Sequence, residues 1–146
     1  VDSKLAEGEP VFHWPVRVYY EDTDCGGVVY HTGYLRFMER ARTEWLRALG
    51  YEQSRLRHEL GVLFVVRGLQ AEYRKPAVLD DELDVGTTVV REGRTRLHFR
   101  QSISRVSTSR TVLVEARIQV VCLDARSLRP RAVPDCLPLE SLPNGC

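Results

Sequence analysis

Tyr19-Tyr20-Glu21-Asp22-Thr23-Asp24-Cys25-Gly26-Gly27-Val28-Val29-Tyr30-His31 is the stretch whose reading decides the fold. Ahead of it, Val16, Val18 and Tyr20 alternate with Arg17, Tyr19 and Glu21, the period-two pattern of a half-buried strand. Behind it, from about 30 to 49, Tyr34, Phe37, Met38, Ala41, Trp45, Ala48 and Leu49 recur at helical spacing and predict a long helix with a wide apolar face. Glu39/Arg42 and Arg40/Glu44 are spaced to pair on its other side, and Gly50 is its stop. Turn formers at 22–27 separate the two elements. The first-turn N–H groups of such a helix lack intrahelical acceptors and lie at the positive end of its dipole. With Asp24 upstream of them, an acyl group fits between the acid and those donors.

Working outward, a short second helix is expected at 52–60, ending at Gly61. Four strand patterns follow, with inward faces at Leu69, Ala71 and Tyr73; Leu83, Val85, Thr87 and Val89; Leu97, Phe99, Gln101 and Ile103; and Val112, Val114, Ala116, Ile118 and Val120. Short turns join them, so the simplest arrangement is an antiparallel sheet. One helix apolar over much of its surface and five one-sided strands predict an α+β fold with the sheet curled around the helix.

The chain has 146 residues, enough for one domain with a real core. A net charge of +1 gives no general pull toward nucleic acid or a membrane surface, although arginine far outnumbers lysine. No apolar run is long enough to cross a bilayer and no signal-peptide pattern is read. The cysteines Cys25, Cys122, Cys136 and Cys146 form no C-x-x-C pair and have no histidine at zinc-ligand spacing. The expectation is a cytoplasmic protein with reduced thiols, no metal and no cofactor. We divide it into a flexible N-terminal arm at 1–12, a folded domain at 13–135 and a C-terminal tail at 136–146. The last twenty residues carry four prolines and read as loose.

Asp24 is the strongest catalytic candidate, because Gly26 and Gly27 after it let the backbone approach a ligand closely. Asp22 competes and reads as the structural acid. His31 is the second candidate: its ring can orient an acyl substrate or water while its backbone N–H polarises a carbonyl. Tyr20 is a third, close enough in sequence to hydrogen-bond near Asp24. Val28 and Tyr30 are expected to contact substrate with Gly26 and Gly27. Cys25 is set aside as a nucleophile, since no histidine is placed to activate it.

These motifs carry a resemblance. The 19–31 stretch, followed by Tyr34-Leu35-Arg36-Phe37-Met38-Glu39-Arg40-Ala41-Arg42-Thr43-Glu44-Trp45-Leu46, resembles the hotdog-fold acyl-CoA thioesterases. Within them it is most similar to the YbgC type associated with the Tol–Pal system and to bacterial 4-hydroxybenzoyl-CoA thioesterase. The similarity runs on through 69–81 and 112–124.

The resemblance implies an antiparallel sheet of five or six strands wrapped around one long central helix. It implies Asp24 as the catalytic aspartate, His31 as the motif histidine and Tyr20 as a tyrosine near the site. It further implies dimers whose sheets join edge to edge, paired again into tetramers, with sites at subunit interfaces and basic residues on the CoA phosphates. Lys75, Arg126, Arg129 and Arg131 are assigned to that last task. Two departures stand out: Cys25 where relatives carry alanine or proline, and Gly33 where they often carry asparagine.

The function expected is hydrolysis of an acyl-CoA to free acid and CoA, with Asp24 as nucleophile or general base. A hotdog hydratase is disfavoured for want of a second acid–histidine pair. The alternative from another class is a non-catalytic scaffold that binds acyl thioesters or acyl-carrier protein for the cell-envelope machinery.

Overall fold

The computed structural model describes residues 11–107 and 109–139. Five strands, β1 (Phe12–Arg17), β2 (Val62–Tyr73), β3 (Glu82–Glu92), β4 (Arg96–Arg105) and β5 (Val112–Asp124), form one sheet in the order β1-β3-β4-β5-β2. Every neighbouring pair is antiparallel. Short turns hold β3–β4 and β4–β5 in sequence, while β1 and β2 end up at opposite edges. The edge position of β1 explains why Pro15 is tolerated opposite Asp84, since an edge strand leaves one row of N–H groups unpaired anyway.

A single long helix, α1 (His31–Ala48), lies on the sheet. It buries Tyr34, Phe37, Met38, Ala41, Trp45 and Leu46 in one core with Leu83, Val85, Leu97, Phe99, Ile103 and Ile118. The fold is therefore the α+β hotdog arrangement expected, with five strands. The helix ends in a Schellman motif: Gly50 at φ +97° donates to the Arg47 carbonyl at 2.8 Å, and Tyr51 N–H to Leu46 at 3.1 Å. Glycine alone takes that φ without strain.

Inside the helix–sheet interface sits a polar network. Gln101 is 1% exposed and donates to the Met38 carbonyl (3.0 Å) and the Thr87 hydroxyl (2.9 Å), while accepting from the Arg42 guanidinium (2.8 Å). Arg42 thus turns inward rather than lying on the outer face, and burial pulls its guanidinium below its ordinary value, only partly opposed by Glu39. The helix-surface pairs differ accordingly from the expected ones. Glu39 accepts from Thr43, and Arg47 pairs with Glu44.

Four further expectations are corrected. The first strand begins at Phe12 and leaves the sheet after Arg17, because the Asp22 carboxylate accepts the Tyr19 N–H at 2.8 Å and winds 20–22 into a tight helical turn. β2 starts at Val62, seven residues before the expected Leu69. As an edge strand it leaves Leu69 (43%) and Tyr73 (46%) partly open, so its alternation is weakly one-sided. The proline-rich C-terminal segment packs rather than hanging free, with Val133, Leu137 and Leu139 buried and Arg91 donating to the carbonyls of Val133, Pro134 and Leu137. Phe12, assigned to the arm, is buried in β1. The rest of the arm, up to residue 10, and the tail beyond Leu139 lie outside the described residues.

Candidate active site

The 22–31 stretch folds back on itself as a small hairpin. Thr23 bridges Val29, Asp24 N–H donates to Val28 (2.9 Å), and Tyr30 N–H donates to Asp22 (3.1 Å). At its tip Gly27 N–H closes a turn on the Asp24 carbonyl at 3.0 Å, with Gly27 at φ +82°. Asp22 is the structural acid, 8% exposed and committed to the Tyr19 N–H. Asp24 is exposed. One carboxylate oxygen accepts from Gly26 N–H at 2.8 Å, which fixes the side chain's direction and leaves the second oxygen without a hydrogen bond among the described residues.

A second loop, between β2 and β3, clamps this hairpin. Val29 N–H donates to the Ala77 carbonyl (2.9 Å) and Val28 bridges Val78. The loop is braced in turn by Arg105, which donates to the Asp81 carboxylate (3.1 Å) and the Pro76 carbonyl (2.9 Å). Ala77 N–H donates to the hydroxyl of the buried Tyr34 at 2.9 Å. Burial raises the Tyr34 phenol above its ordinary value; the Ala77 bond opposes this, Tyr73 adds to it, and the nearby Asp24 charge contributes in the same direction. That coupling puts Asp24 within electrostatic reach of Tyr34.

The helix opens at the junction. Its N-cap, Tyr30, gives no side-chain cap, and Gly33 N–H turns back to the Tyr30 carbonyl at 2.7 Å. The N–H groups of His31 and Thr32 have no acceptor among the described residues, which leaves two donors at the positive end of an 18-residue helix. The His31 ring rests against Tyr30 (4.4 Å between centroids) and faces Tyr73 edge-on (6.4 Å). A cleft of about 260 Å³ lies over this point, lined by Val29, His31, Tyr34, Tyr73, Lys75 and Pro76 with Arg74.

The structure thus brings Asp24, Gly26, Gly27, Val28, Tyr30 and His31 into one hairpin and helix start, and Lys75 to the same cleft. Tyr20 is not gathered in: it is 82% exposed at the start of the helical turn. Arg126, Arg129 and Arg131 follow β5, whose Asp124 end pairs with Val62 while Val114 pairs with Tyr73. Eleven residues of strand, roughly 35 Å, therefore separate them from the cleft within one chain. Arg131 is also engaged there, donating to the Gly61 carbonyl (3.1 Å) and Asp124 (3.2 Å).

Residues that sequence reading missed are Tyr34, Tyr73 and Ala77. Tyr34 read only as core, and its spacing of three from His31 was the available signal. Tyr73 read as one more inward strand residue. Gly33 packs closely: an added Cβ would lie 3.0 Å from Val29 Cγ1.

The chain matches known proteins. The thioesterase-like superfamily model covers residues 18–138. Acyl-CoA thioester hydrolase YbgC of Escherichia coli O6:H1 is 49% identical over 130 residues, 89% of this chain and 95% of that protein.

The chain belongs to the YbgC acyl-CoA thioesterases of the thioesterase-like superfamily.

Membership extends to acyl-CoA thioesterase YbgC of Haemophilus influenzae, 46% identical over 84% of this chain and 88% of that one. A probable thioesterase from Bartonella henselae superposes with a TM-score of 0.79 at 32% identity, covering 86% of this chain and all of its own. The YbgC relationship makes the chain an acyl-CoA thioester hydrolase. No helix among the described residues is long and apolar enough to cross a membrane.

Proposed function

We propose that this chain hydrolyses acyl-CoA thioesters at the junction of the 22–31 hairpin and α1, with Asp24 as the reacting carboxylate. The observation that carries this reading is the pair of unsatisfied N–H groups at His31 and Thr32 at the end of the hairpin that also carries Asp24, an acid whose second oxygen is uncommitted. The thioester oxygen accepts from those donors, and the helix dipole favours the negative charge that grows on it. One such donor is typically worth about 2.7–4 kcal/mol in the transition state.

Asp24 then acts in one of two ways. As a base it takes a proton from water, the hydroxide adds to the carbonyl carbon, and the C–S bond breaks to release CoA thiolate, which is protonated. As a nucleophile its oxygen adds to the carbonyl and expels the thiolate, leaving an acyl anhydride that water hydrolyses. Oxygen-18 from labelled water enters the Asp24 carboxylate in a single turnover only by the second route. The His31 ring orients the thioester, and Gly26, Gly27, Val28 and Tyr30 give it a close backbone wall.

Assembly completes the site. β2 is a long edge strand with Val65, Val66, Leu69 and Tyr73 all partly exposed, the kind of edge that pairs with a second copy. Two-fold pairing of β2 with itself is antiparallel, and it turns the 126–131 segment of a second copy toward the Tyr73 end of the first. On that arrangement Lys75 from one chain and the arginines of the other hold the CoA phosphates, and dimers pair again into a tetramer. Tyr20, on the outer side of the turn, contacts the CoA or a second copy rather than Asp24. The domain works in the cytoplasm.

CoA release from a panel running from acetyl-CoA to palmitoyl-CoA tests the reading. Turnover on at least one chain length is expected. Binding across the panel without turnover on any member would replace this reading with a scaffold for acyl thioesters or acyl-carrier protein.

A further inference from the structure

Tyr73 ends the edge strand β2, its backbone held opposite Val114 in the sheet. Its hydroxyl reaches across the cleft and donates to the His31 carbonyl at 2.9 Å. That carbonyl belongs to the same peptide unit as the Thr32 N–H, one of the two unsatisfied donors at the start of α1. A hydrogen bond accepted at one end of a peptide unit polarises the N–H at the other end, strengthening the bond it can donate by about 10–30%.

The ring is also fixed from the sides, 5.6 Å from Tyr34 and 6.4 Å edge-on to His31, so the hydroxyl has little freedom to wander. Partial burial holds the phenol above its ordinary value.

We propose that Tyr73 is a positioning residue for thioester hydrolysis: its hydroxyl orients and polarises the His31–Thr32 peptide so that Thr32 N–H is a stronger oxyanion donor. The inference rests on the reading of the α1 start as the oxyanion site. It assigns a task to a strand residue that touches neither Asp24 nor the reacting carbonyl. It also couples the edge strand to the donors, so that anything displacing the end of β2 weakens them.

A 10–30% gain on a donor that is itself worth about 10²–10³ in kcat gives an effect of about two- to eightfold. Tyr73→Phe removes the hydroxyl and keeps the ring contacts. The expected result is a two- to eightfold fall in kcat on the best substrate of the acyl-CoA panel, with KM and melting temperature unchanged. A second readout addresses the donors directly: the infrared carbonyl stretch of a bound ketone analogue in which a methylene replaces the thioester sulfur. Its frequency should rise in Tyr73→Phe, because the carbonyl is less polarised.

If either kcat or the carbonyl frequency stays at the wild-type value, the proposal is wrong. A fall in kcat without a frequency shift marks a merely structural role. Failure of the underlying site reading looks different. In that case the wild-type analogue shows no lowering of its carbonyl frequency on binding, whatever Tyr73→Phe does.

Discussion

At Asp24 the carboxylate has two oxygens with two different employments, one tied to Gly26 N–H and the other uncommitted. The turn bond aims the side chain, so the acid does not spend side-chain entropy finding its direction when substrate arrives. The cysteines show how strongly environment separates chemically identical groups. Cys122 is fully buried, and burial pushes its thiol up to about 11, only partly offset by Arg131. Cys25 and Cys136 are exposed.

Because the folded-state value for Cys122 lies above the ordinary 9.0, its contribution to stability is whole below pH 9. That contribution is lost as pH rises through about 11, when the unfolded chain ionises first. Native labelling with iodoacetamide at pH 8, read by mass spectrometry, should modify Cys25 and Cys136 and leave Cys122 intact. Denaturation midpoints should fall more steeply between pH 9 and 11 for the wild type than for Cys122→Ala. That Asp22 is a structural acid was legible from sequence, whereas the uncommitted second oxygen of Asp24 was not, because it depends on which way a turn closes.

Among the elements, α1 and β3–β5 were the most legible. Their apolar periods are long and each is packed on a defined face, so Leu97, Phe99, Gln101 and Ile103 do fall on one side of β4. The edges were least legible. β1 stops at Arg17 because a side-chain cap at Tyr19 outcompetes the ladder, and β2 has no partner on one side to enforce a strict alternation. Gln101 sat in plain view on the inward face, yet its purpose depends on Arg42 and Met38 one layer away. Replacing it with leucine keeps the volume and strips partners from the Arg42 guanidinium and the Thr87 hydroxyl. Gln101→Leu should cost about 2–4 kcal/mol of unfolding free energy, measured in urea, despite the gain in apolar surface.

At the scale of the whole molecule, three non-local contacts shape the candidate site. The hairpin is clamped by the β2–β3 loop, that loop is braced by Arg105 from β4, and the helix start is met by Tyr73 from the far end of β2. No local pattern encodes these, which is why the 19–31 motif pointed to Asp24 and His31 as candidates but not to Tyr34 or Tyr73. The packed C-terminal segment is non-local in the same sense: prolines suppressed any periodic signal, while Leu137 is 2% exposed beneath Arg91. Leu137→Ala should lower stability by about 2–3 kcal/mol in urea denaturation, where a loose tail would leave it unchanged.

The central claim, that a carboxylate at Asp24 works on a carbonyl held by the first amides of α1, is tested most directly by the kinetics of Asp24→Asn. Asparagine preserves the turn, since its side-chain oxygen still accepts from Gly26 N–H, and it removes only the basic and nucleophilic oxygen. We expect kcat for CoA release to fall by a hundredfold or more, with melting temperature and acyl-CoA affinity held near wild type. An Asp24→Asn protein whose kcat stays within threefold of wild type would contradict the account.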